Sequence, residues 1–95
     1  MASYIVSGDV TPDCTGTYTE AGVNDGKPYY AREDSAYYLW WNDITTKWWI
    51  SPAINSGVEP IWQRLDPNIE GDYALNLSST GTAIVVEVST NYFIG

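Results

Sequence analysis

The chain has 95 residues, a formal net charge of −8 and an aromatic content of 15%, which includes eight Tyr and five Trp. Four Lys and Arg against twelve Asp and Glu disfavour direct binding to nucleic acid or to an anionic membrane, because both need clustered cations. The sequence has no His, which excludes Ser–His and Cys–His catalytic pairs. Cys14 is the single cysteine, so neither an internal disulfide nor a metal site of paired thiolates is expected. These features predict one domain over residues 1–95 with no cofactor and no metal.

Short segments rich in Thr, Val, Ile, Tyr and Trp alternate with turn residues, which is typical of a β protein. In chain order, the predicted strands cover residues 4–6, 16–20, 27–31, 36–41, 47–51, 60–64, 71–75 and 82–88. Turns are predicted at residues 21–26, 42–46 and 66–68, and one helical turn at residues 51–54, where Ser51 precedes Pro52. Strand spacing of this kind predicts an all-β fold, a small antiparallel β-sandwich or barrel of about seven to eight short strands.

The hairpin of residues 36–41 and 47–51 carries two doubled tryptophans. Adjacent residues of a strand point to opposite faces, so only one member of each pair can enter a one-sided core. Grouping the rings with the two aliphatic residues of the hairpin predicts five core residues: Tyr37, Leu39, Trp41, Trp48 and Ile50. Tyr38, Trp40 and Trp49 then lie on the opposite face.

Three large rings on the opposite face have three possible explanations. They form a protein interface, in which Tyr and Trp are favoured anchors, or a stacking platform for sugars, or they are covered by residues 54–65 or by a second sheet layer. Trp62 has the same ambiguity, and residues 91–95 form an apolar tail. The candidate interface or ligand residues are Tyr38, Trp40, Trp49, Trp62, Tyr92, Phe93 and Ile94.

The acidic residues give no sign of catalysis. Most Asp residues fall in predicted turns, where Asp is a good turn former, and no spacing marks a glycosidase pair or a calcium-binding EF-hand loop. Residues 1–7 lack the basic start and apolar run of a signal peptide, and no segment approaches the ~20 apolar residues of a membrane span. We therefore expect a non-enzymatic protein that is made in a cytoplasm and is not exported by its own signal.

Residues 16–51 carry a series of Gly-, Tyr- and Trp-rich motifs. Gly-Thr-Tyr opens at Gly16, Asn-Asp-Gly-Lys-Pro-Tyr-Tyr spans residues 24–30, Tyr-Tyr-Leu-Trp-Trp spans residues 37–41, and Trp-Trp-Ile-Ser spans residues 48–51. This series resembles a small β module of uncharacterised structural proteins in tailed phages and marine viral sequences. The family pattern has Asn-Gly in the first turn, whereas Asp25 here separates Asn24 from Gly26. The segments that begin at Gly71 and Gly81 resemble the closing strands of the module.

The resemblance implies a virion setting and a β fold, and it carries over no catalytic or ligand residues. It implies a capsid decoration protein or another small head or tail component, acting through contacts with other virion proteins or with copies of itself. The alternative is a carbohydrate-binding module that presents Trp and Tyr rings to a host glycan.

Overall fold

The computed structural model describes residues 3–55, 61–64, 66, 68–76 and 81–88. These residues form eight β-strands: β1 (Ser3–Ser7), β2 (Gly16–Asn24), β3 (Lys27–Arg32), β4 (Tyr38–Asn42), β5 (Lys47–Ser51), β6 (Ile61–Arg64), β7 (Gly71–Asn76) and β8 (Ala83–Glu87). Within the described residues, no helix has the length and apolar character needed to cross a bilayer.

The strands close into an antiparallel barrel in which each strand pairs with its neighbours in the sequence. Closure is made by β1 and β8, where Tyr4 lies opposite Glu87 and Val6 lies opposite Val85. The all-β prediction is confirmed, and the closed sheet decides between the two predicted architectures in favour of the barrel. The shortest ladder joins β3 to β4 through two residue pairs.

Two local predictions are wrong. The turn predicted at residues 21–26 is reduced to Asp25 and Gly26, whose φ angles of 51° and 78° fit the type I′ turn that suits a twisted hairpin. The register shift between Glu20 and Gly22 absorbs the extra residue of the longer strand. The predicted helical turn at residues 51–54 does not form, because the Ser51 hydroxyl donates to the carbonyl of Ala53 (2.7 Å) instead of accepting a helix N–H.

The barrel interior is filled by large side chains from all eight strands. Eight strands leave room for side chains and little else, so wide rings suit a chain of this length. The buried interior residues are Tyr4, Val6, Val10, Cys14, Tyr18, Tyr30, Leu39, Trp48, Ile50, Trp62, Tyr73, Ala83 and Val85, with Tyr37, Trp41 and Ile69 packed against them. All five core residues predicted for the tryptophan hairpin belong to this cluster, so that prediction is confirmed.

Two interior tyrosines satisfy their hydroxyl groups with the chain itself. The Tyr18 hydroxyl donates to the carbonyl of Cys14 (2.6 Å), and the Tyr73 hydroxyl donates to the carbonyl of Ile69 (2.7 Å). Each bond spans four residues and fixes the loop that leads into the strand carrying the tyrosine. Because a buried hydroxyl without a partner costs free energy, these bonds make two polar rings compatible with a closed interior.

A Gly-x-Tyr segment and an arginine meet at one end of the barrel. Tyr18 lies opposite Arg32, whose guanidinium donates to the carbonyls of Asp13 (2.8 Å) and Thr15 (3.1 Å). Gly16 has a φ of 140°, and a β-carbon there would lie 3.0 Å from the Arg32 side chain. The same guanidinium pairs with Asp34 and, with the backbone N–H of Ala36, lowers the pKa of that carboxyl to about 2.

The same arrangement recurs in the second half of the chain. Tyr73 follows Gly71, which has a φ of 133° and lies against the Arg64 guanidinium. Continuing the β6–β7 register by one residue sets Arg64 opposite Tyr73. Arg64 donates to the carbonyl of Asn68 (2.9 Å) and lies 3.7 Å from the carboxylate of Asp66. Two copies of one device, Gly-x-Tyr with Arg-x-Asp, therefore hold the loops of the two halves.

Removing either hydroxyl should measure what this device contributes. We expect Tyr18→Phe and Tyr73→Phe each to lower the free energy of unfolding by about 1–3 kcal/mol, because each leaves a carbonyl without its donor. Urea unfolding followed by near-ultraviolet circular dichroism provides the measurement. Tyr38→Phe, on the outer wall, is the matched control and should stay within about 0.5 kcal/mol of the parent. Equal losses in all three variants would contradict the assignment.

Candidate interaction surfaces

A second apolar cluster lies on the outer wall of the barrel. Trp40 and Trp49 face each other across β4 and β5 with ring centroids 5.3 Å apart in an edge-to-face arrangement, and Ile61 of β6 packs beside them. Tyr29, Tyr38 and Ile54 pack against these three residues and are half-buried. We call these six residues the outer aromatic cluster.

Residues 51–55 cover the outer aromatic cluster and are fixed at both ends by side-chain hydrogen bonds. At one end the Trp40 indole N–H donates to the Ser51 hydroxyl (2.8 Å). At the other end the amides of Asn24 and Asn55 exchange two hydrogen bonds of 3.0 and 2.8 Å. This segment ties the β2–β3 hairpin to the end of β5 and places Ile54 over the rings.

The tryptophans among the candidate interface or ligand residues are buried. Tyr38, Trp40 and Trp49 do point away from the interior, as predicted, but Trp40 is 2% exposed and Trp49 is 9% exposed. Trp62 is fully buried in the barrel interior. Of the three explanations left open by the sequence, covering therefore applies to Trp40 and Trp49, whereas Trp62 is an interior residue. Tyr92, Phe93 and Ile94 lie outside the described residues.

One polar atom of the outer aromatic cluster lacks a partner. The Trp49 indole N–H is buried and makes no hydrogen bond, and the same is true of Trp62 in the interior. The Trp40 N–H in the same cluster is satisfied by Ser51. A hydrogen bond therefore compensates burial of the indole N–H in Trp40, whereas burial of the N–H in Trp49 is uncompensated.

Charge is distributed unevenly between the wall of the barrel and its ends. Residues paired across a ladder point to the same face of the sheet. Glu20 and Glu87 are paired with the inward rings Tyr30 and Tyr4, so they take inward positions. Among the described strand residues, Asp72 is therefore the one carboxylate at an outward position. The other described carboxylates fall in the turns and loops between strands. The ends of the barrel are thus acidic and the described wall is close to neutral.

The neutral wall includes an exposed apolar area on β8, β1 and the start of β2. Ile5 lies directly opposite Val86, and Ile84 lies one outward position further along β8. Their exposed fractions are 46%, 53% and 40%, respectively. We call this area, with its hydroxyl-bearing neighbours, the neutral face: Ser3, Ile5, Ser7, Thr17, Thr19, Ile84 and Val86. The sequence signal for this area is the uninterrupted apolar run from Ile84 to Val86, which places apolar residues on both faces of β8.

The remaining candidate chemistry is confined to one thiol. Cys14 is fully buried, and burial raises its pKa to about 12. Among the described residues, no group of three or more His, Cys, Asp or Glu side chains is placed to hold a metal ion. Comparison of the chain with protein-family models, curated proteins and solved structures gives no match, so the candidate surfaces are interpreted from their geometry alone.

The two indoles of the outer aromatic cluster provide a matched experiment. Trp40→Phe deprives Ser51 of its donor, whereas Trp49→Phe removes an N–H that has no partner. We expect Trp40→Phe to lower the free energy of unfolding by about 1 kcal/mol more than Trp49→Phe. Combining each variant with Ser51→Ala in a double-mutant cycle should give coupling for Trp40 and none for Trp49. Equal coupling energies would show that the hydroxyl does not act through Trp40.

Burial of Cys14 should make its thiol unreactive in the folded protein. At mildly alkaline pH we expect negligible reaction with an aromatic disulfide reagent over hours, because the reactive thiolate is suppressed and no sulfur surface is exposed. In denaturant the same sample should release one equivalent of chromophore. Rapid reaction of the native protein would contradict the placement of Cys14 in the interior.

Proposed function

We propose that this chain is a non-enzymatic structural protein that acts through protein–protein contacts, as a capsid decoration protein or another small head or tail component of a virion. The observation that carries the proposal is the filled barrel. Its described interior is packed with rings and aliphatic side chains, so the surface left for recognition is the outside. Exposed apolar residues on that outside are the material of protein interfaces.

The architecture also supports contacts through faces of the sheet. Every described strand has a hydrogen-bonded neighbour on both sides, which disfavours partners that add a strand to a free edge. Association must then use side chains of the wall or of the loops. The virion setting is supported by the resemblance of residues 16–51 to the phage module.

The carbohydrate-binding alternative needs exposed rings on which a sugar can stack. The candidate tryptophans are all buried: Trp40, Trp49 and Trp62. On the described outer wall around Trp40 and Trp49, the partly exposed rings are those of Tyr29 and Tyr38, which are half-buried. Their ring centroids lie 6.3 Å apart with planes tilted by 54°, which does not provide a flat platform. We therefore retain the structural role as the proposal.

Association with particles tests the proposal directly. Particles from a culture that produces the chain would be purified on a density gradient, washed at high salt and analysed by quantitative mass spectrometry. We expect the chain to remain with the particles at a fixed ratio to the major coat protein. High salt removes proteins held by charge alone, so retention would indicate contacts with an apolar component.

Absence of the chain from washed particles would overturn the virion role. A parallel titration with oligosaccharides, followed by tryptophan fluorescence, addresses the alternative. Buried indoles should give no saturable change, whereas a saturable shift would favour the sugar-binding function over the structural one.

A further inference from the structure

A short strap of the chain covers the outer aromatic cluster, and we define the strap as residues 52–55. It begins after Ser51, the last residue of β5, which is fully buried. Within the strap, Ile54 is half-buried and packs against the cluster, whereas Asn55 is exposed. The strap is therefore a surface element that starts at a fixed point of the sheet.

A pair of asparagine amides holds the far end of the strap. Asn24 of the β2–β3 hairpin and Asn55 exchange two hydrogen bonds, which we call the latch. Both bonds lie at the surface, where water competes for the same amide groups and the net contribution of each bond is modest. The latch can therefore break at a small cost in free energy.

The hairpin side of the latch is anchored to the barrel. The Lys27 ammonium lies 5.3 Å from the centroid of the Trp41 ring, in a cation–π contact. The Tyr29 ring lies 6.3 Å from the Tyr38 ring, measured between centroids, and packs against the outer aromatic cluster. Because these contacts hold the hairpin, the strap is the side of the latch that can move.

Closure of the strap leaves a buried donor without a partner. Trp49 is 9% exposed, and its indole N–H is buried and makes no hydrogen bond. Burial of an unpaired donor costs free energy, which water recovers when the cluster is uncovered. The Trp40 N–H differs, because it donates to the Ser51 hydroxyl at the fixed start of the strap. The closed arrangement thus carries a cost that opening of the strap relieves.

From these contacts we infer that the strap opens about Ser51 while the barrel stays folded, and that the latch sets how often it opens. Opening lifts Ile54 off the outer aromatic cluster and admits water to Trp49. The cluster is then a contact surface that is concealed in the closed chain and uncovered in a minor state. This inference goes beyond the proposed function, because it concerns access to the rings rather than the identity of a partner.

Hydrogen exchange of the indole N–H groups tests the inference on the parent chain. Trp49 and Trp62 form a matched pair, since each N–H is buried without a hydrogen bond. Trp62 lies in the barrel interior, so its N–H should exchange when the barrel unfolds, whereas the Trp49 N–H should exchange when the strap opens. Nuclear magnetic resonance spectra recorded after transfer to heavy water should show Trp49 exchanging about 100-fold faster than Trp62, or more.

Low concentrations of urea distinguish strap opening from unfolding. Strap opening exposes little surface, so the Trp49 rate should be insensitive to urea below the unfolding transition, whereas the Trp62 rate should rise. A Trp49 rate equal to or below that of Trp62, or the same urea dependence for both groups, would overturn the inference. The comparison uses the parent chain and does not depend on the folding of any variant.

A destabilised barrel provides a control for the site of opening. Tyr73→Phe removes the hydrogen bond to the carbonyl of Ile69 and should speed exchange of the Trp62 N–H about tenfold or more. The Trp49 N–H should keep its parent rate, because the strap opens without unfolding the barrel. Equal acceleration of both groups would show that Trp49 exchanges through unfolding and would remove the inference.

Variants of the latch test its role. Asn24→Ala and Asn55→Gly each remove both hydrogen bonds, and glycine accepts the φ of 56° at residue 55. Each variant should speed exchange of the Trp49 N–H about tenfold, as expected for the loss of two exposed hydrogen bonds, and the double variant should add nothing further. Val23→Thr, at a residue of the same hairpin that is 69% exposed, should leave the Trp49 rate unchanged. A Trp49 rate that stays at the parent value in both latch variants, or that rises equally in Val23→Thr, would overturn the role of the latch.

Discussion

The closed barrel depends on filling its interior with large rings, two of which are anchored to the chain by their hydroxyl groups. Eight strands enclose an interior just wide enough for side chains to fill, and Tyr and Trp provide large area per residue. Each ring brings a hydroxyl or N–H whose burial without a partner costs free energy, as it does for the Trp62 N–H. Tyr18 and Tyr73 solve this by donating to carbonyls four residues earlier, which at the same time fixes the loops before β2 and β7. Arg32 and Arg64 then bind further carbonyls of those loops.

The filled interior determines what the outside of the barrel can do. Most of the rings are buried in the barrel interior or in the outer aromatic cluster. A partner would therefore have to contact the side chains that remain exposed on the sheet and loops. Those residues are acidic at the ends and neutral along β8, β1 and β2.

Local patterns in the sequence were enough to predict the strands, the strongest hairpin and the inward residues of that hairpin. Alternation fixes which side chains share a face, so Leu39, Trp48 and Ile50 could be assigned before any fold was known. Alternation could not decide whether Trp40 and Trp49 are covered, because the covering residues 51–55 are held by the pairing of Asn24 with Asn55, 31 residues apart. Closure joins β1 to β8, the first and last described strands, and has no local signal. The repeated Gly-x-Tyr segments are visible in the sequence, but their Arg-x-Asp partners are not marked by a fixed spacing, because Arg32 follows Tyr18 whereas Arg64 precedes Tyr73.

The closing pair of strands also brings the chain's two described ends to one point. The backbone N–H of Val88 donates to the carbonyl of Ser3 (2.8 Å), so the polypeptide enters and leaves the barrel within one hydrogen bond. A fold with adjacent entry and exit is well suited to be carried as an insertion in a surface loop of another protein, since the host backbone need not be stretched to accommodate it. Such a barrel can be gained or lost by a larger polypeptide as a self-contained unit.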